Sequence, residues 1–211
     1  LGSITLLLSL ALATYAIIGS LVGQWKSVPE MVTSARYAAY LTPFILAVST
    51  MVLVAGFVSH NFELRYVAGH SNLAMDPWLT WVAFYAGNEG SMLFLSLIFA
   101  GIGALAIWRA PDEVRPALPY TTAVLMMVTV FFVSVMMTMA NPFYELPVVP
   151  ADGKGINPLL THPGMFFHPP TLMAGLIGVG IPFAFAMGHL MAGQEGDEWV
   201  DTARVWALIV W

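Results

Sequence analysis

Five histidines, His60, His70, His162, His168 and His189, are the side chains in this sequence best suited to chemistry, and there is no cysteine beside them. Without cysteine no disulfide, zinc–thiolate centre or thiol nucleophile can form. Among the histidines, His168 has the most constrained setting. It stands in "PGMFFHPPTLMAGLIGVG", residues 163 to 180, followed by two prolines and an apolar run long enough to enter a bilayer. Pro169 and Pro170 lack N–H groups and have fixed φ, which suits the first turn of a helix. Proline also biases the preceding residue toward extended backbone. The imidazole is therefore expected at the N-terminal lip of the helix, with little backbone freedom. The positive end of a helix dipole repels a cationic ring, and a neutral imidazole offers the lone pair that haem iron or another transition metal takes. The plainer alternative is a pre-proline histidine hydrogen-bonded at an interface.

The other histidines carry weaker signals. His162 precedes Pro163-Gly164, a turn that points it away, and reads as a loop residue. His60 and His70 flank "NFELRYVAG" without a spacing that demands a ligand. His189 lies 21 residues after His168, about 31 Å along a helix, so the two cannot share one ligand. It reads as an interfacial histidine with no special role. Glu89, in "AGNEGS", sits at an expected helix start, where the dipole favours a carboxylate; it is either a cap or a polar contact for a partner. The methionines of "VLMMVTV" and "VSVMMTM" read as packing or lipid-facing residues rather than ligands.

What must position these residues is a membrane bundle. Of 211 residues, 59% are hydrophobic and only 9% charged, against about 25% charged in ordinary soluble domains. Such a chain cannot cover a soluble surface. The expected fold is all-α, a polytopic transmembrane helix bundle with long external loops, one domain over 1–211 and part of a longer chain. Apolar runs place spans at Ile4–Gly23, Tyr37–Ser59, Ser91–Trp108, Pro119–Ala140 and Pro170–Met191, with a further one starting near Ala203 and running to Trp211. Connections at Gln24–Arg36, Arg109–Leu118 and Ala192–Thr202 are short and polar. Those at His60–Gly90 and Asn141–Phe167 are long and rich in Pro, Gly, Asn and aromatics.

The short connections and their edges hold Lys26, Arg36, Arg109, Arg115 and Arg204, and the long ones only Arg65 and Lys154. By the positive-inside rule the short set is cytoplasmic, leaving the N-terminus and both long loops outside, in the periplasm of a Gram-negative cell. In "DPWLTWVAFYAGNEGSMLF", a helix running from Trp78 to Trp108 would be about 45 Å long, more than a ~30 Å hydrocarbon core needs. A break is expected at Asn88-Glu89-Gly90. Trp78, Trp81, Phe84 and Tyr85 then form an aromatic shelf at the outer interface. Seven basic residues in all provide no patch for nucleic acid.

Several stretches together resemble the CcmF-type subunit of the bacterial cytochrome c haem lyase. They are "FVSHNFELRYVAGHSN" (57–72), "AGNEGSMLFL" (86–95), "NPF" leading to "LPVVPADGKGINPLLTHPGMFFHPP" (141–170) and "GIPFAFAMGHL" (180–190). The resemblance implies cytochrome c biogenesis in the inner membrane, with haem b as the group handled. By position, His168 is the external His-Pro-Pro histidine that would ligate the haem iron axially. Haem would be presented so that both cysteines of an apocytochrome Cys-X-X-Cys-His motif form thioethers with its vinyl groups. A haem chaperone, apocytochrome c and other maturation subunits would be its partners. The family's tryptophan-rich haem segment is absent from these residues, and no role carries over to His60, His70, His162 or His189. The chain thus reads as the N-terminal portion of such a subunit.

Two rivals come from other classes. A multispanning transporter or ion-translocating subunit buries ionisable residues near the midplane, and the expected span interiors contain no Asp, Glu, Lys or Arg. A purely structural assembly subunit would hold no ligand at all.

Overall fold

Each long apolar run becomes helical, and prolines and first-turn acids shift the helix ends away from the limits that hydropathy sets. The computed structural model describes residues 1–211. Nine α-helices follow in order: α1 Gly2–Trp25, α2 Pro29–Val58, α3 Arg65–His70, α4 Leu79–Ala86, α5 Asn88–Trp108, α6 Leu118–Met139, α7 His168–Gly178, α8 Gly180–Met191 and α9 Glu198–Val210. Short 3-10 segments occupy Asp112–Ala117, Pro158–Leu160 and Pro163–Phe166. There is no sheet, only one isolated bridge between Leu64 and Glu145. Five stretches are long and apolar enough to cross a membrane: Gly2–Trp25, Pro29–Val58, Asn88–Trp108, Asp112–Met139 and Pro163–Met191.

The second helix starts well before the apolar run does. Pro29 takes an N-terminal position and Glu30 lies in the first turn, where a missing N–H costs nothing and a carboxylate meets the positive helix end. Hydropathy marks where lipid begins; proline and acid mark where the helix begins. The opposite happens in the fifth run, where one apolar stretch yields two helices meeting at Val179. Pro182 is the cause, because it has no N–H for the Gly178 carbonyl and its ring crowds that oxygen. Gly178 packs on Val210, and a Cβ at Gly180 would come 2.7 Å from Phe99, so the joint is also where neighbours approach closest.

α1 and α2 form an antiparallel hairpin through small residues. Ser9, Ala13, Ala16, Gly19, Ser20 and Gly23 make the buried stripe of α1, and Ala35, Ala38, Ala39 and Thr42 face it from α2. A Cβ on Gly19 would lie 2.9 Å from that of Ala35, the close backbone approach that drives helix association in lipid. α1 also packs on α6, α6 on α5 and α8, and α8 on α9, so α6 is the central helix. The interior divides into two clusters. One, at the long-loop end, joins Leu6, Leu53, Phe57, Tyr66, Val82, Phe84, Leu93 and Met136. The other, toward the short loops, joins Ala13, Ala39, Phe99, Ile107, Leu125, Ile181, Phe185 and Trp206.

Candidate functional site

The long-loop end is built around the α4–α5 break. α4 stops at Ala86, Gly87 is extended at φ −112° and ψ 171°, and α5 starts at Asn88. The chain thus breaks one residue before the expected Asn88-Glu89-Gly90. The reason lies in α3. The Tyr66 hydroxyl accepts from the Gly87 N–H at 3.0 Å and donates to the Phe84 carbonyl at 3.0 Å, satisfying one loose group from each helix end. Burial pushes the Tyr66 phenol well above the ordinary tyrosine pKa, with the Gly87 N–H acting the other way. A Cβ at Gly90 would fall on the Phe84 carbonyl and 2.6 Å from the Tyr66 oxygen, so only glycine fits. Glu89 pairs with Arg65 of α3 at 3.6 Å; with the arginine half exposed the pair adds at most about 1 kcal/mol.

The expected aromatic shelf divides in two. Trp78 and Trp81 are exposed, but Phe84 and Tyr85 are buried at 3% and 8% exposure. They turn inward because α4 lies on α5, with Phe84 edge-on to Phe94 at 6.1 Å.

The two long loops are then stitched together. Leu146 N–H donates to the Glu63 carbonyl at 2.7 Å, Arg65 N–H to Tyr144 at 2.9 Å and Lys154 N–H to Ala68 at 2.8 Å. Asp152 Oδ1 accepts from Leu73 N–H at 2.9 Å. Trp78 stacks on Phe166 with centroids 5.5 Å apart, and the Tyr85 hydroxyl donates to the Met165 carbonyl at 2.8 Å. These last contacts fix Pro163–Phe166, the turn that delivers the chain to His168.

His168 is the first residue of α7 and not an extended residue before it. Phe167 already has helical φ and ψ, and Thr171 closes the turn. Its N–H donates to the Phe167 carbonyl at 3.1 Å, and its hydroxyl donates to Phe167 and His168 carbonyls at 2.7 and 3.0 Å. Pro169 and Pro170 carry no N–H, so neither leaves an unpaired donor in this turn. The imidazole is exposed and takes part in no hydrogen bond. It stands at one end of a groove of 630 Å³ between α7 and α9, lined mainly by Leu172, Leu176, Val179, Val210 and Trp211. An apolar groove with one free nitrogen donor at its end suits a flat apolar macrocycle bearing a metal.

No other histidine shares that groove. His162 Nδ1 accepts from Gly164 N–H at 3.0 Å and caps the 3-10 turn, which occupies its lone pair. His70 Nδ1 bonds the Tyr66 carbonyl at 2.9 Å, and its ring lies 4.4 Å from that of Tyr66. His60 adopts φ 51° at the end of α2. His189 is 2% exposed, with Nε2 donating to the Gly196 carbonyl at 2.8 Å. It is a core residue of the short-loop end rather than an interfacial one, because the turn after α8 folds back over it. Of the two tyrosines that organise the site, Tyr66 carried no signal beyond lying in the stretch 57–72, and Tyr85 was read only as part of the aromatic shelf.

Taken together, fold and site define a multi-pass helical membrane protein that holds a free histidine at the mouth of an apolar groove beneath interlocked loops. The chain belongs to the cytochrome c assembly protein family, whose model matches residues 85–211. Over its whole length it is 35% identical to the cytochrome c-type biogenesis protein CcmF of Pseudomonas aeruginosa and 34% identical to that of Escherichia coli K12, of which it spans 32% and 33%. A solved structure of cytochrome c heme lyase CcmF matches all of this chain, and 33% of that one, with a TM-score of 0.84 at 27% identity. The chain thus spans about a third of the length of these relatives.

Proposed function

We propose that this chain is the part of a cytochrome c haem lyase that receives haem b at the outer face of the inner membrane, with His168 as an axial iron ligand. One observation carries the reading. His168 is the one histidine lining the apolar groove, and neither of its ring nitrogens takes part in a hydrogen bond of the fold. Haem is here the substrate. The sulfur atoms of an apocytochrome Cys-X-X-Cys-His motif form thioethers with its vinyl groups, and the chain supplies no nucleophile. Its own residues bind and orient: Leu172, Leu176 and Val179 offer an apolar wall, and Thr171 holds the turn that aims the imidazole. The stitched loops present a preformed surface for a haem chaperone, apocytochrome c and other maturation subunits.

The short-loop end, where five of the seven basic residues lie, faces the cytoplasm in this reading, and the stitched loops face the periplasm. An ion-translocating role is less well supported. The buried polar residues are serines, threonines and His189, with no Asp, Glu, Lys or Arg among them, so no relay of charged groups crosses the bundle.

The test is an absorption spectrum of the full-length protein purified in detergent, with and without His168→Gly. A Soret band that falls or shifts in the variant and recovers with added imidazole is the expected outcome. An unchanged spectrum removes His168 as the ligand.

A further inference from the structure

The opposite end of the bundle holds a second built feature. A pocket of 330 Å³ lies where α1, α2 and α6 meet, lined by Ser20, Val32, Arg36, Arg115, Leu118, Pro119 and Thr122. It contains two guanidinium groups and no acid. The chain has three ion pairs, none of which involves Arg36; Arg115 meets only Asp112 at 2.7 Å, both largely exposed. An exposed pair of that kind contributes little and exchanges readily. Ser20 and Thr122 are 1% and 2% exposed, and neither hydroxyl shares in a hydrogen bond of the fold. By contrast, the Thr42, Thr121 and Thr129 hydroxyls each donate to a carbonyl one turn back. The Ser20 and Thr122 hydroxyls border the pocket and can donate to a guest held there.

We propose that this pocket binds the phosphate of an anionic phospholipid headgroup. Arg36 and Arg115 supply charge-assisted donors that match phosphate geometry. Ser20 and Thr122 add hydroxyl donors, and the first turn of α6 at Leu118 and Pro119 directs the positive end of a 22-residue helix toward it. The lipid source, rather than a free phosphate, follows from depth. Trp25, Tyr37 and Trp108 are exposed at this same end of the bundle, the placement of an interfacial aromatic belt. The pocket therefore opens where headgroups lie, and Val32 and Leu118 border it where an acyl chain would continue.

Native mass spectrometry of the full-length protein in detergent, titrated with phosphatidylglycerol or phosphatidylcholine, tests this. Wild type should retain phosphatidylglycerol more tightly. Arg36→Gln and Arg115→Gln should each weaken that binding by about tenfold, the effect of one hydrogen bond to a charged group. Thr122→Val should weaken it less. Arg109→Gln and Lys26→Gln, which remove the same charge at the same end outside the pocket, should leave it unchanged. Equal losses in all four charge variants would mean diffuse attraction and overturn the site. Displacement of the lipid by millimolar inorganic phosphate, without preference between the two lipids, would overturn the lipid assignment.

Discussion

The two ends of this bundle are held together by different means. At the short-loop end, helix meets helix through glycine, alanine and serine, and connections are brief turns, as at Lys26–Val28. At the long-loop end, two loops and two short helices are joined by backbone hydrogen bonds, aromatic contacts and one buried tyrosine hydroxyl. Small-residue packing tolerates change wherever a face meets only lipid. A hydrogen-bonded clasp does not, because each donor it loses leaves a buried acceptor unpaired. The free histidine therefore stands on the less tolerant of the two scaffolds, and damage to that scaffold should reach His168 without touching it.

The largest effect expected is from Gly90→Ala, since a Cβ there lies on the Phe84 carbonyl and against Tyr66. Overpacking of this kind costs about 3 kcal/mol. Thermal melting in detergent should show a marked fall, with the haem spectrum weakened in parallel. Gly101→Ala, whose Cβ meets nothing within 4 Å, should instead leave melting unchanged or raise it slightly, since helical alanine outranks glycine. If both glycines respond alike, the contrast between the ends fails.

Tyr66→Phe comes next, at about 1–3 kcal/mol for the unpaired Gly87 N–H and Phe84 carbonyl. It also sharpens a pH argument. The Tyr66 phenol is raised above 10.0 on folding, so the folded state holds its proton longer than the unfolded chain does. The contribution is fully present below the unfolded pKa and is lost as pH rises above it. Wild type should therefore lose stability at alkaline pH more steeply than the phenylalanine variant, as read by melting curves across that range. Glu89→Gln should have the smallest effect, under about 1 kcal/mol and diminished by salt, as measured by melting at low and high ionic strength. A large loss there would assign the Arg65 pair a weight its exposure does not support.

Much of this was readable in the amino-acid order. Composition required a membrane bundle, apolar runs located its helices, and the His-Pro-Pro segment identified the side chain now standing free at the groove. Local rules were enough for these, because lipid burial and proline geometry act within a few residues. The early start of α2 and the joint at Val179 escaped hydropathy but not chemistry, since Pro29, Glu30 and Pro182 were there to be read. The clasp was different. Tyr66 and Gly87 are 21 residues apart, and Tyr85 and Met165 are 80 apart. No periodicity links such residues; they meet because α3 and α4 fold onto α5 and bring the second loop with them. The same holds for His189, read as interfacial and found in the core, and for Arg36 and Arg115, charges from separate stretches of the chain that meet where α1, α2 and α6 enclose one pocket. Sequence order dictated which segments enter lipid and which residue types stand ready at their ends. Which of those residues face one another depended on long-range packing, where the free energy of a contact is set by neighbours that chain order does not reveal.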